Sequence, residues 1–432
     1  MRLFKSIINI PVFFILFFFG GLFLNNFARA EHPLTLRDCY ELALKQSETV
    51  AIQEANIRIA EKKFAQAIGA VLPHIHFKGS EFLQDDSSTD DGAGALGQTF
   101  TSFSRPELKF NAKQPLFSGL REYYSMAAIK TQRRQNSADW ENAKRLLFID
   151  VAKSFYTVLQ LEKDVAILKN IDSTLSKRLN EEKTRAKLGK DRSSERLNTE
   201  SEQANQQASL SMVEGGLASA KEVLTFFTGV GSDSLSDDVT VPAELDEERY
   251  LRREKIDRPD IVSAEEAKRF SKYQLNIQKG GMFPTINAEA NYYTLRSGFQ
   301  EGINWDATFS LDFPLFEGGQ TKAKIQEAKL LLKQADLQLS EKKRQADLEI
   351  KKAYQDFVSS KKQAAAFENA ATKAQQSYKA SEEDYHNGLI NNLQLLELLR
   401  RMEEVQRNYV RTSLQTKLSW LNLKASAGEP LP

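Results

Sequence analysis

The chain has 432 residues and nearly balanced charge, 59 Lys and Arg against 58 Asp and Glu. That balance argues against a nucleic-acid protein, which carries a basic excess or stripe. The single cysteine, Cys39, excludes an intramolecular disulfide framework and a cysteine-based zinc site. No P-loop, G-x-S-x-G or H-E-x-x-H pattern occurs, so the chain is read as having no enzymatic activity, no cofactor and no resident metal.

Arg2 and Lys5 precede an apolar run, Val12 to Leu24, and Ala28-Arg29-Ala30 has the pattern of a signal-peptidase site. Residues 1–30 are expected to be an export signal, with an uncleaved anchor as the alternative. No later apolar run approaches the ~20 residues of a transmembrane helix. The destinations left are the periplasm, the medium, or an outer-membrane β-barrel.

The remainder reads as a duplication. Gln114-Pro115-Leu116-Phe117-Ser118-Gly119 matches Phe313-Pro314-Leu315-Phe316-Glu317-Gly318, and the same spacing brings Phe155 onto Tyr354, Gly189 onto Gly388, Leu197 onto Leu396 and Leu224 onto Leu423. Upstream, Leu72-Pro73 matches Phe283-Pro284, with a longer first-half loop over 84–104. The boundaries expected are a first repeat over 31–228, a linker over 229–258, a second repeat over 259–426 and a tail over 427–432.

Each half opens with a helical run, 36–70 and 259–279. Period-two alternation follows: Ile286, Ala288, Ala290 and Tyr292 against Asn287, Glu289, Asn291 and Tyr293, then Trp305, Ala307, Phe309 and Leu311 against Asp306, Thr308, Ser310 and Asp312. Leu108, Phe110 and Ala112 alternate in the same way with Lys109, Asn111 and Lys113. Four strands result, about 72–84, 102–114, 283–296 and 303–313, each with one apolar and one polar face.

Two tracts free of proline come next, between Pro115 and Pro242 and between Pro314 and Pro430. Val151, Phe155, Val158, Leu161, Val165, Leu168, Ile171, Leu175 and Leu179 form one apolar seam in the first tract. Leu348, Ala353, Phe357, Ala364, Phe367, Ala371, Ala374 and Tyr378 form its counterpart. Gly189 and Gly388 end these helices in tight turns, and return helices span about 193–228 and 392–425. Such rods cannot bury their seams alone; they need their return helices and other copies of the chain.

Leu34-Thr35-Leu36 with Ala43-Leu44, Leu72-Pro73, Pro115-Leu116-Phe117-x-Gly119, Phe283-Pro284 and Pro314-Leu315-Phe316-x-Gly318-Gly319 resemble the TolC-like outer membrane efflux proteins, in that order over 34–425. The resemblance implies a mainly helical fold with a membrane β-barrel. A homotrimer would share one 12-stranded barrel, and long helical hairpins would form a hollow α-barrel across the periplasm. It also implies a passive duct in the outer membrane, working with a periplasmic adaptor and an inner-membrane pump, for efflux or for type I secretion. Closure agrees with the strands themselves, because open edges in lipid leave backbone groups unpaired. Lys109, Asn111, Lys113, Asn287, Glu289, Asn291, Asp306 and Asp312 would then line the lumen, and the acidic segment Asp85 to Asp91 would be an external loop. The rival reading is a periplasmic coiled-coil adaptor, which has no need of lipid-facing strands.

In this family the inner helices close the periplasmic end near the helical turns. Tyr385 stands at the family's gate tyrosine, and Glu195 replaces a gate aspartate. Gln394 and Glu397 fall where a family member has two acids, and Ile390 stands where it has an arginine. A polar latch and an apolar constriction around Leu389 and Ile390 are both compatible with these residues. Gly189 and Gly388 mark the turns an adaptor would reach. His74 and His76 share a strand face without a third metal ligand, so they read as a polar lumen or strand-end pair.

Overall fold

A computed structural model describes residues 33–83, 104–187, 193–231, 234–251, 258–297 and 301–431. The expected signal segment, the Asp85 to Asp91 loop and Gly189 lie outside the described residues. The opening helical run is two helices, α1 (Leu36–Gln46) and α2 (Glu48–Gly69). Ser47 separates them: its hydroxyl accepts from the Val50 N–H at 3.3 Å, an N-cap inside a run whose apolar spacing continues past it. Thr35 and Asp38 cap α1 reciprocally.

Strands β1 (His74–Leu83) and β2 (Ser104–Ser118) follow, then helices α3 (Arg121–Lys187) and α4 (Ser193–Thr228). A short α5 (Glu247–Leu251) lies in the connection. The second half repeats the order as α6 (Pro259–Gly280), β3 (Thr285–Arg296), β4 (Trp305–Asp312), α7 (Gln320–His386) and α8 (Asn392–Ser426). Helices α3 and α7 have 67 residues each, so each reaches ~100 Å at 1.5 Å per residue. No helix among the described residues is long and apolar enough to cross a membrane. Strand β2 runs four residues past its expected end. Pro115 cannot donate to the ladder, and a register irregularity between Pro115 and Phe117 absorbs it.

The α3 seam is buried at Val151, Phe155, Val158 and Leu168, against Leu36, Cys39 and Ala43 of α1 in its upper part. Burial, chiefly, pushes the Cys39 thiol up to about 12, so this cysteine is a small core residue. On α7 the expected seam is buried at Ala353, Phe357 and Tyr378 but departs from expectation at Leu348. The buried seam runs through Ala346, Ile350, Ala353 and Phe357, whereas Leu348 is 66% exposed. Leu348 belongs instead with Leu330 and Leu337 to a second apolar stripe of α7, and Ile52 and Ile59 form a similar exposed stripe on α2. Buried charges are paired, locally and between elements. Arg258 meets Asp260 at 2.8 Å and Glu349 at 2.7 Å, and Arg407 of α8 meets Asp164 of α3 at 3.3 Å.

The base of the sheet sits directly on the helices. Gly119 has φ +66°, and a Cβ there would lie 2.2 Å from the Gly280 carbonyl oxygen. Only glycine permits this approach of the β2–α3 junction to α6.

Candidate functional site

Two constellations are built on this frame, one on the sheet and one at the far end of the helices. The sheet order is β1-β2-β3-β4, antiparallel throughout. Its register sets His76, Asn111, Asn291 and Asp306 side by side, and the next positions align Phe77, Phe110, Tyr292 and Trp305. Because the side-chain period is two, these rows lie on opposite faces. All eight of the expected lumen residues share the first face.

That face is cross-linked. Asn111 Nδ2 donates to Glu289 Oε1 at 2.7 Å and to Asn291 Oδ1 at 2.8 Å. Asn291 Nδ2 donates to Asp306 Oδ1 at 2.8 Å, and the Tyr293 hydroxyl donates to Asp306 Oδ2 at 2.7 Å. Lys109 pairs with Glu107 at 2.8 Å. On the other face Ile75, Phe309 and Leu311 are 71%, 75% and 68% exposed, and no described element covers them. From Trp305 to Asp312 strand β4 spans ~23 Å at 3.3 Å per residue, close to the height of the apolar band of a membrane barrel.

The second constellation joins the ends of four helices. Arg178 and Glu182 of α3, Thr199 of α4, and Tyr385 and Asn392 at the turn between α7 and α8 are all buried. Asn392 is the hub. Its Oδ1 accepts from Arg178 Nε at 2.7 Å, and its Nδ2 donates to Thr199 Oγ1 at 2.8 Å and to the Glu195 carbonyl at 3.2 Å. The Thr199 hydroxyl donates to Glu182 Oε1 at 2.9 Å, and Arg178 Nε lies 3.6 Å from that same oxygen. The Arg178 guanidinium sits 3.8 Å from the Tyr385 ring centroid, a cation–π contact strengthened by desolvation. Around this polar centre pack Ile171, Leu175, Tyr378, Leu395, Leu396 and Leu399.

The sequence matches the outer membrane efflux protein family over residues 39–230 and 251–429. The chain belongs to that family. It is 22% identical over 230 residues to the cation efflux system protein CusC of Escherichia coli K12, a match covering 50% of this chain and 49% of that protein. The chain thus spans about half the length of the curated relatives it matches. Among solved structures it is similar to the outer membrane protein VceC of Vibrio cholerae, with TM-score 0.78, 17% identity, and 91% and 96% of the two chains covered. It is also similar to the open-state MtrE outer membrane channel of Neisseria gonorrhoeae, with TM-score 0.76, 18% identity, and 91% and 89% covered. These likenesses establish the fold: an outer-membrane-channel architecture built from two structural repeats.

The gate positions implied by the efflux family divide on this chain. Tyr385 is buried inside the network, but its hydroxyl accepts from Arg185 Nη1 at 3.3 Å. Burial, chiefly, raises its phenol above the usual value, against the pull of Arg178 and Arg185. Glu195 contributes its backbone carbonyl, which accepts from Asn392 Nδ2 at 3.2 Å. Gln394 serves as a helix cap: its Oε1 accepts from Asn391 N–H at 3.1 Å, and its own N–H donates to Asn391 Oδ1 at 2.9 Å. Glu397 is exposed. Ile390 packs against the apolar shell of the network, while Leu389 is 73% exposed.

Sequence reading missed Arg178, Glu182, Thr199 and Asn392. A signal was present: Arg178 and Glu182 lie one turn apart on α3 beside the seam residues Leu175 and Leu179. Gly388 has φ +75° with open space around the position of a Cβ, so its substitution carries only a backbone penalty, about 1–2 kcal/mol. Gly388→Ala is expected to be tolerated, whereas Gly388→Val should lower export in a whole-cell efflux assay while protein in the outer-membrane fraction stays at the wild-type level.

Proposed function

We propose that three copies of this chain close a 12-stranded barrel and a helical duct, which carries cargo from an inner-membrane pump across the periplasm and out. One observation carries this reading. The four-stranded sheet has an uncovered apolar face and two open edges, and it stands on 67-residue helices with exposed apolar stripes. Open edges and unsatisfied backbone groups are not tolerated in lipid, and repeating the sheet around a threefold axis removes them. The stripes on α2 and α7 supply matching seams between copies.

In this account the polar strand face lines water. It carries both signs, Lys109 and Lys113 beside Glu289 and Asp306, which supports a duct that leaves the choice of cargo to its pump. Residues 31–228 and 259–426 act as the two repeats, and 229–258 joins them. The Arg178–Glu182–Thr199–Asn392–Tyr385 cluster is the latch of the resting tip, and the turns holding Gly189 and Gly388 face the adaptor. The relative CusC is named for cation efflux; a metal-pump partner is one outcome the test below can return.

The test has two parts. Purified protein in planar bilayers should conduct with a low closed-state conductance, and no conductance under any condition would remove the duct. Cross-linking pull-down from intact envelopes should return a periplasmic adaptor and an inner-membrane pump, whose class names the pathway. A pull-down returning only an outer-membrane channel would make this chain the adaptor.

A further inference from the structure

Outside the lumen and the tip, a charged groove of about 720 Å³ lies between α6 and α7. Six bases line it, Lys268, Arg269, Lys272, Lys329, Lys333 and Lys343, against the acids Glu265 and Asp336. Lys268 pairs with Asp336 at 2.5 Å and Lys343 with Glu265 at 2.9 Å. Lys272, Lys329 and Lys333 have no ion-pair partner among the described residues. Lys329 and Lys333 stand one helical turn apart, an arrangement that destabilises a helix unless a counter-charge is supplied.

The first repeat has the equivalent groove, between α2 and α3, with a volume of about 590 Å³. It holds Lys130, Arg133 and Arg134 beside the acid Glu61, with Arg133 paired to Glu61 at 3.3 Å and Arg134 to Glu266 at 2.9 Å, and the repeat spacing that relates Gly189 to Gly388 relates Lys130 to Lys329 and Arg134 to Lys333. Three copies would therefore present six grooves around the duct, the three between α6 and α7 being the more basic because both arginines of the first-repeat groove are paired.

Chirality fixes the side they open on. The Tyr293 N–H donates to the Asn304 carbonyl at 2.8 Å, so the odd-numbered β3 residues, Asn287, Glu289 and Asn291 among them, turn their backbone groups toward β4. For L-residues this places β4 to the right of an upright β3 viewed from its polar face. Helix α6 runs upward into β3, and α7 lies beside it as β4 lies beside β3. On a right-handed helix, Arg269 and Lys272 then fall on the side of the α6–α7 seam away from the polar strand face. The grooves open outward.

Their depth narrows the partner. Lys272 is eight residues before Gly280, ~12 Å below the sheet, and Lys343 is 23 residues beyond Gln320, ~35 Å below it. Exposed Phe283 and Phe316 mark the sheet–helix junction, where lipid ends. Headgroups extend only about 5–8 Å past the hydrocarbon, so the grooves lie beneath them.

We propose that these grooves bind the carboxylates of the cell-wall peptidoglycan, forming a basic collar that anchors the duct where it passes through the wall. This rests on the outer-membrane duct reading above. A polyanionic mesh surrounding the duct beneath the headgroups matches the charge, the outward aspect and the repetition of the grooves.

The test is co-sedimentation of the detergent-purified full chain with insoluble cell-wall sacculi. Wild-type protein should sediment, and raising salt should weaken it. The triple variant Lys272→Gln, Lys329→Gln, Lys333→Gln should lose at least tenfold in apparent affinity, and so should wild type offered sacculi with amidated carboxylates. The triple variant keeps the helices and should show wild-type thermal melting. Undiminished binding by the variant, or to amidated sacculi, would overturn the proposal. So would wild-type protein that stays in solution, or a variant that loses binding only to anionic phospholipid vesicles. Conductance in planar bilayers is read in parallel: a conducting protein that ignores sacculi loses the collar and keeps the duct, whereas a non-conducting protein loses the duct reading.

Discussion

Arg178→Ala should raise single-channel conductance several-fold and sensitise cells to large antibiotics that the intact envelope excludes. Arg178 holds Asn392 and lies over the Tyr385 ring, so its removal releases α7 and α8 from α3. It also leaves Glu182, 1% exposed, without its arginine. Breaking one partner of a buried pair costs about 3–5 kcal/mol, enough to depopulate a closed tip held by such contacts. Glu182→Ala should act in the same direction. Replacing the pair together, Arg178→Met with Glu182→Leu, should recover much of the stability, because no charge is then stranded in the core. Tyr385→Phe keeps the ring against Arg178 and should change conductance little. If Arg178→Ala conducts as wild type while Ile390→Ala opens the pore, the constriction is apolar.

Phe309→Lys should abolish assembly in the outer membrane, whereas Thr308→Lys should be tolerated. The two residues are adjacent on β4 and point to opposite faces. Phe309 is 75% exposed on the apolar face, near the middle of the strand. A lysine on a lipid-facing position near the bilayer midplane costs about 2–4 kcal/mol per chain, incurred in each copy of the barrel. At Thr308 the ammonium faces water next to Glu289. Heat-modifiable mobility of membrane fractions reads the outcome directly; equal assembly of both variants would mean that the apolar face meets no lipid.

Much of this fold was legible because period and punctuation agree. Alternation over 286–292 and 305–311 specified strands and their faces together, since one register slip would exchange them. The absence of proline and the glycine turns bounded the long helices to within a few residues. The division at Ser47 was not legible: a capping hydroxyl inside a continuing apolar pattern decides it, and its energy is local. Leu348 was misplaced because α7 carries two apolar stripes, and one sequence cannot say which of them pairs within the chain. At the tip, the resemblance led to Tyr385 and Glu195, while the residues that bind the hairpins together are Arg178, Thr199 and Asn392. A polar side chain on a helix reads as solvated until the partner helix that buries it is known, and these partners are some 200 residues apart in sequence.

The measurement that bears most directly on the account is the mass of the detergent-solubilised particle, made with its strands intact as judged by resistance to unfolding at room temperature. Three copies of the chain are expected, because only repetition closes the edges of β1 and β4. A stable, folded monomer would contradict it, since its four strands would leave both edges open to lipid.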